Sequence, residues 1–126
     1  KLLEESGSTL LSEQLRSEVF ACAAKIADAV DYVGVGTVGF IYDVPSDAIY
    51  FMEMNTRLQV EHPVTEAVTG IDIVKQQFLI ASGESVEHLT ASETGYGLEV
   101  RVNAERCELD RDGHAMDMLT QGKIPT

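Results

Sequence analysis

Leu15, Val19, Ala23, Ile26 and Val30 recur every three to four residues, a spacing that predicts an amphipathic helix over residues 12–31. Ser12 is suited to cap its start, Glu13 and Glu18 place negative charge near that end, and Gly34 and Gly36 are positioned to stop it. GTVGFIYD (36–43) then reads as a strand, VPSDA as a turn and IYFMEMN as the returning strand, which together form a β-hairpin with a loop of about five residues. Pro63 suits the first turn of a short helix that Gly70 breaks. Asp72 can cap the next helix, where Ile71, Val74, Phe78 and Ala81 form an apolar stripe and Gly83 closes it. Residues 84–95 are polar and loop-like. YGLEVRVNAE (96–105) alternates Leu98, Val100, Val102 and Ala104 against Glu99, Arg101, Asn103 and Glu105, which predicts a further strand with one polar face.

The alternation is most informative in residues 49–66, IYFMEMNTRLQVEHPVTE. Met52, Met54, Leu58 and Val60 occupy even positions with Thr56, while Glu53, Asn55, Arg57, Gln59 and Glu61 occupy odd ones. In an extended chain successive side chains point to opposite faces, so one face would be largely apolar and the other would carry two carboxylates, two amides and a guanidinium. A half-buried strand with a solvated polar face accounts for the same alternation.

Composition narrows the classes. The 126 residues suffice for one ordinary domain, and 44% hydrophobic with 24% charged residues is globular. No apolar run reaches the roughly 20 residues of a membrane helix, and the opening KLLEESGSTLL is polar, without a secretory pattern. Lys at position 1 and the ending KIPT suggest an excerpt of a longer chain. A net charge of −12 repels phosphate backbones, which disfavours nucleic-acid partners. Cys22 and Cys107 are far apart and lack CxxC spacing, as expected of reduced thiols in the cytoplasm, or in the mitochondrial matrix of a eukaryote. Asp110, Asp112 and Gly113 faintly resemble a calcium loop without its remaining ligands, and a solvated acidic loop explains them better.

The polar positions have definite chemistry available. Same-face neighbours on a strand lie about 6.8 Å apart, so Glu53 and Asn55 could converge on one hard cation such as Mg²⁺ arriving with nucleotide phosphates. Arg57 offers a planar donor fork for a small oxyanion such as a carboxylate or bicarbonate, and Gln59 a further donor. Glu61 could act as a general base, and Arg101 could bring a second guanidinium to developing negative charge. His62 alone is expected to make a local hydrogen bond, and His88 and His114 fall in loop-like segments.

EMNTRLQVEHPVTE, followed by TGIDIVKQQFLIASG and LEVRVNAE, closely resembles biotin carboxylases, the ATP-grasp subunit or domain of biotin-dependent carboxylases. The likeness runs, with gaps, from Lys1 to about Glu105. It implies an α+β architecture: antiparallel strands with packed helices as the C-terminal part of an ATP-grasp fold over residues 1–83, and the start of the following C-terminal region over 84–126. It also implies roles. Glu53 and Asn55 match metal-binding positions for Mg²⁺ or Mn²⁺ beside the ATP phosphates. Arg57, Gln59 and Val60 match the bicarbonate site, Val60 through its backbone, and Glu61 matches the base that deprotonates bicarbonate. Arg101 matches the residue that stabilises the enolate of biotin, and Ile41 and Met52 match apolar walls of the adenine pocket. In the family, carboxyphosphate forms first, and biotin on a carrier protein or domain captures the released CO₂ for a carboxyltransferase; homodimers are among the expected assemblies.

Three departures stand out. Gly39 occupies a position where the family carries a metal-binding Glu, and Asp43, of the same parity, lies about 13 Å further along the strand. The family's glycine-rich lid and ATP-holding lysines are not found among these residues. RCELDRDGHAMDMLTQGKIPT also departs from the usual continuation, apart from GKI. Carbamoyl-phosphate synthetases, pyruvate carboxylases and a non-catalytic homologue are the competing readings, with Met54, Thr56 and Pro63 favouring the acyl-CoA carboxylase branch.

Overall fold

The computed structural model describes residues 2–102 and Asp112. The chain is α+β, in the order β1 (Leu3–Glu5), α1 (Glu13–Ala29), β2 (Thr37–Asp43), β3 (Ala48–Asn55), α2 (His62–Thr69), α3 (Ile73–Ala81) and β4 (Leu98–Val100). Residues Glu4–Glu99 form one compact unit; Leu2, Leu3 and Val100–Val102 belong to a second.

Helix α1 begins as the sequence predicts, because the Ser12 hydroxyl accepts the Leu15 N–H at 3.1 Å. Its end comes earlier than Gly34. Val30 caps the helix, and Asp31 takes the left-handed conformation at φ 49°. Leu15, Val19, Ala23 and Ile26 face inward as the spacing requires, whereas Val30 is exposed. The Tyr32 hydroxyl then donates to the Val35 carbonyl at 2.8 Å and closes the connection to β2. Gly36 leaves room for a close approach there, since a Cβ would lie 3.2 Å from both the Asn55 carbonyl oxygen and the Tyr32 ring.

Strands β2 and β3 pair antiparallel from Asp43↔Ala48 to Thr37↔Asn55. The turn is residues 44–47, one shorter than predicted, because Ala48 already pairs. Asp47 sits at φ 50°, and its carboxylate accepts the Tyr42 hydroxyl at 2.9 Å. That hydrogen bond is the main reason the Tyr42 phenol is raised above its ordinary value. The ladder is interrupted once. Phe40 pairs with Phe51 and Gly39 with Glu53, which leaves Met52 as an additional residue, a β-bulge.

In α2, Pro63 occupies the first turn and Gly70 ends the helix at φ 70°, as predicted. Val64 and Val68, four residues apart, are its buried face. With Leu15 they make up the buried hydrophobic core of the described residues. Asp72 caps α3 by accepting the Lys75 N–H at 2.7 Å, and the Glu66 carboxylate reaches across from α2 to accept the Ile73 N–H at 2.6 Å. The α3 stripe is rotated relative to the prediction. Ile73, Gln76, Leu79 and Ile80 are half-buried, whereas Val74 and Ala81 are exposed and Phe78 is 71% exposed.

The last predicted strand is short. Strand β4 covers Leu98–Val100 and pairs with β1. Its faces are reversed from expectation, with Leu98, Val100 and Val102 exposed and Glu99 and Arg101 half-buried. Beside it the Ser6 N–H donates to the Gly97 carbonyl at 2.9 Å and the Gly97 N–H to the Ser6 hydroxyl at 2.7 Å. Asn103, Ala104, Glu105, Cys107, Asp110, Gly113 and His114 lie outside the described residues.

Candidate functional site

The polar series of residues 53–61 is divided by the fold. Strand β3 stops at Asn55, so only Glu53 and Asn55 share a strand face; Arg57, Gln59 and Glu61 follow in a loop and turn leading to α2. The single extended strand that the alternation suggested is therefore two structures. Glu53 and Asn55 do come together, with the Asn55 side-chain amide donating to a Glu53 carboxylate oxygen at 2.8 Å. No group of three His, Cys, Asp or Glu side chains that could hold a metal occurs among the described residues. The arrangement is two oxygen-bearing side chains with one carboxylate, which suits Mg²⁺ completed by water and phosphate.

Gly39 stands directly opposite Glu53 in the ladder. A Cβ there would lie 3.2 Å from the Met52 methyl and 3.5 Å from the Glu53 Cγ. Met52 and Glu53 are consecutive and in a regular strand would face opposite ways, yet the bulge brings both beside Gly39. Alternation alone assigned them to different faces, and nothing in the local sequence signals the bulge. Ile41, on β2, and Met52 are 54% and 53% exposed, so these two apolar side chains are not core.

Beyond the strand, Arg57 is exposed and its guanidinium donates to the Leu58 carbonyl at 3.3 Å. It lines a pocket of about 400 Å³ with Tyr32, Gln77 and Ile80. Gln59 and Glu61 instead line a cleft of about 520 Å³ with His62, Val64 and residues of α1 and β2. Arg57 is thus not brought into the Gln59–Glu61 cleft, and Val60 between them is exposed. On the cleft's α1 side, Arg16 pairs with Glu93 and lies over the Phe20 ring at 5.4 Å. His62, expected to bond locally, places Nδ1 2.7 Å from the Gln59 carbonyl oxygen. Arg101 is in the second unit, where its backbone N–H donates to the Leu2 carbonyl at 2.9 Å.

Residues 1–89 match the family described as carbamoyl-phosphate synthase L chain, ATP binding domain. The chain belongs to this ATP-grasp domain family, and over most of its length it is a homologue of biotin carboxylases. Biotin carboxylase 1 of Bacillus subtilis is 51% identical over 107 residues, 83% of this chain and 24% of its relative. A biotin carboxylase–βγ-ATP complex from Campylobacter jejuni superposes with a TM-score of 0.80 at 42% identity, covering 86% of this chain and 24% of that one. The biotin carboxylase domain of Hydrogenobacter thermophilus 2-oxoglutarate carboxylase, solved with MgADP, ADP and bicarbonate, gives 0.78 at 35% identity, covering 98% and 32%. The chain therefore spans about a quarter to a third of the length of these relatives.

Proposed function

We propose that this chain supplies the metal- and bicarbonate-handling part of a biotin carboxylase that carboxylates biotin at the expense of ATP and serves an acyl-CoA carboxylase. Residues 1–83 are read as the C-terminal part of the ATP-grasp domain and 84–126 as the start of the region after it. The observation that carries the reading is the Glu53–Asn55 pair at the end of β3, held at 2.8 Å and followed directly by the Gln59–Glu61 turn on the cleft.

Glu53 and Asn55 would hold Mg²⁺ or Mn²⁺ through the carboxylate and the amide oxygen, and the ion would offset charge on the ATP phosphates. Arg57 and Gln59 bind bicarbonate with side-chain donors, and Val60 adds its backbone N–H. Arg57 must then leave its contact with Leu58 and turn toward the cleft. Glu61 accepts the bicarbonate proton and so exposes an anionic oxygen for attack on the γ-phosphate. The attack displaces ADP and gives carboxyphosphate, which breaks down to CO₂ and phosphate. The ureido nitrogen of biotin, borne on a carrier protein or domain, gives up its proton to that phosphate and takes up the CO₂. Arg101 sets its guanidinium against the negative charge that develops at this acceptor. Ile41 and Met52 offer apolar surface to the adenine. A carboxyltransferase receives the product, and a homodimer is the proposed assembly.

ATP cleavage by a complete carboxylase chain carrying this sequence tests the reading, with cleavage requiring both bicarbonate and biotin as the expected result. A requirement for bicarbonate alone would place the chain with carbamoyl-phosphate enzymes. Absence of cleavage would favour the non-catalytic homologue that Gly39 suggests, since that glycine leaves Glu53 without a carboxylate partner across the ladder.

A further inference from the structure

We infer that His62 is a positioning residue that locks the bicarbonate-handling turn, an inference resting on the roles proposed for Gln59, Val60 and Glu61. Its ring Nδ1 lies 2.7 Å from the Gln59 carbonyl oxygen. A carbonyl oxygen only accepts, so Nδ1 carries the proton in this contact. The same oxygen receives the His62 backbone N–H at 3.3 Å. The second backbone bond of the turn, from the Val64 N–H to the Glu61 carbonyl, is 3.2 Å.

Both backbone bonds lie beyond the usual N–H···O distance of about 2.9 to 3.0 Å, whereas the ring contact is short. Glu61 occupies the N-cap of α2 without a side-chain capping hydrogen bond. The imidazole thus closes residues 59–62 from within the turn. Gln59, Glu61 and His62 all line the 520 Å³ cleft, so a change in the turn re-aims the two side chains proposed to meet bicarbonate. ATP contacts proposed for β2 and β3 lie outside the turn and should be spared.

The test uses a complete carboxylase chain carrying this sequence and three substitutions. His62→Asn places an amide N–H where Nδ1 was, His62→Gln carries its amide one bond further out, and His62→Leu has no donor. Leu and Gln are expected to raise KM for bicarbonate by about 10- to 100-fold while KM for ATP stays within about twofold. Asn is expected to restore KM for bicarbonate to within about threefold of the parent. The inference is overturned if bicarbonate KM is the same in all variants or if Asn is as impaired as Leu. It is also overturned if ATP KM rises and the thermal midpoint falls in step with the rise in bicarbonate KM, the pattern of a general structural role. Failure of the proposed function would show earlier, as absent bicarbonate-dependent cleavage in the unsubstituted chain, and the inference would fall with it.

Discussion

Gly39 and Gly97 are both places where one missing Cβ decides what the chain can do, for opposite reasons. At Gly39 the nearest obstacle is the Met52 methyl, the far end of a flexible side chain, so a larger residue fits after a small shift. Gly39→Glu would set a second carboxylate opposite Glu53. Without divalent ions the like charges should cost about 0.2 to 1 kcal/mol, measurable by chemical denaturation. Mg²⁺ should reverse the loss, and in a complete carboxylase both Mg²⁺ affinity and ATP cleavage should rise. An unchanged Mg²⁺ response would mean that position 39 is not beside the ion. At Gly97 a Cβ would lie 2.9 Å from the Val64 carbonyl oxygen, which is backbone and cannot swing aside. Gly97→Ala should therefore destabilise by about 1 to 3 kcal/mol, and an unfolding midpoint equal to the parent's would refute this contact.

Capping and turn chemistry were the parts of the secondary elements most legible in the sequence. Ser12, Pro63, Gly70 and Asp72 act where their side chains or backbones suggested, because a cap depends on a few adjacent atoms. Ser12→Ala or Asp72→Ala should each cost about 1 kcal/mol, read from urea midpoints. Faces were less legible, since they depend on what packs alongside. The α3 stripe at Val74, Phe78 and Ala81 turned outward, and β4 reversed its faces. Alternation of residue type persists past Asn55 into a loop that is not extended, so parity alone does not mark where β3 stops. The hairpin also carries a pH signature. The Tyr42 phenol is raised by its hydrogen bond to Asp47, so this contribution is fully present below the ordinary tyrosine value near 10 and is lost as pH rises through the folded value. In ultraviolet titration Tyr42 should ionise at higher pH than free tyrosine, and Asp47→Ala should bring it back.

At the scale of the molecule, hydrophobic burial is sparse among the described residues. Leu15, Val64 and Val68 are buried, while Phe20, Ile41, Phe51, Met52 and Phe78 are exposed. Composition indicated a globular chain and could not reveal this, because it counts apolar residues without saying what covers them. The family and α+β class were nevertheless within reach of the sequence, carried by EMNTRLQVEHPVTE. The isolated 126 residues should bind an apolar dye with enhanced fluorescence and show no biotin-dependent ATP hydrolysis. Robust turnover by this chain alone would contradict the second expectation. The bulge at Met52 has a consequence for how such a chain tolerates change in length. Phe51 already pairs with Phe40, and Glu53 with Gly39, on either side of the additional residue. A variant one residue shorter at this point would keep both halves of the ladder in register and restore regular alternation. What it would lose is the Met52 side chain proposed to face adenine, so on that proposal the deletion should leave the unfolding midpoint unchanged and raise KM for ATP in a complete carboxylase.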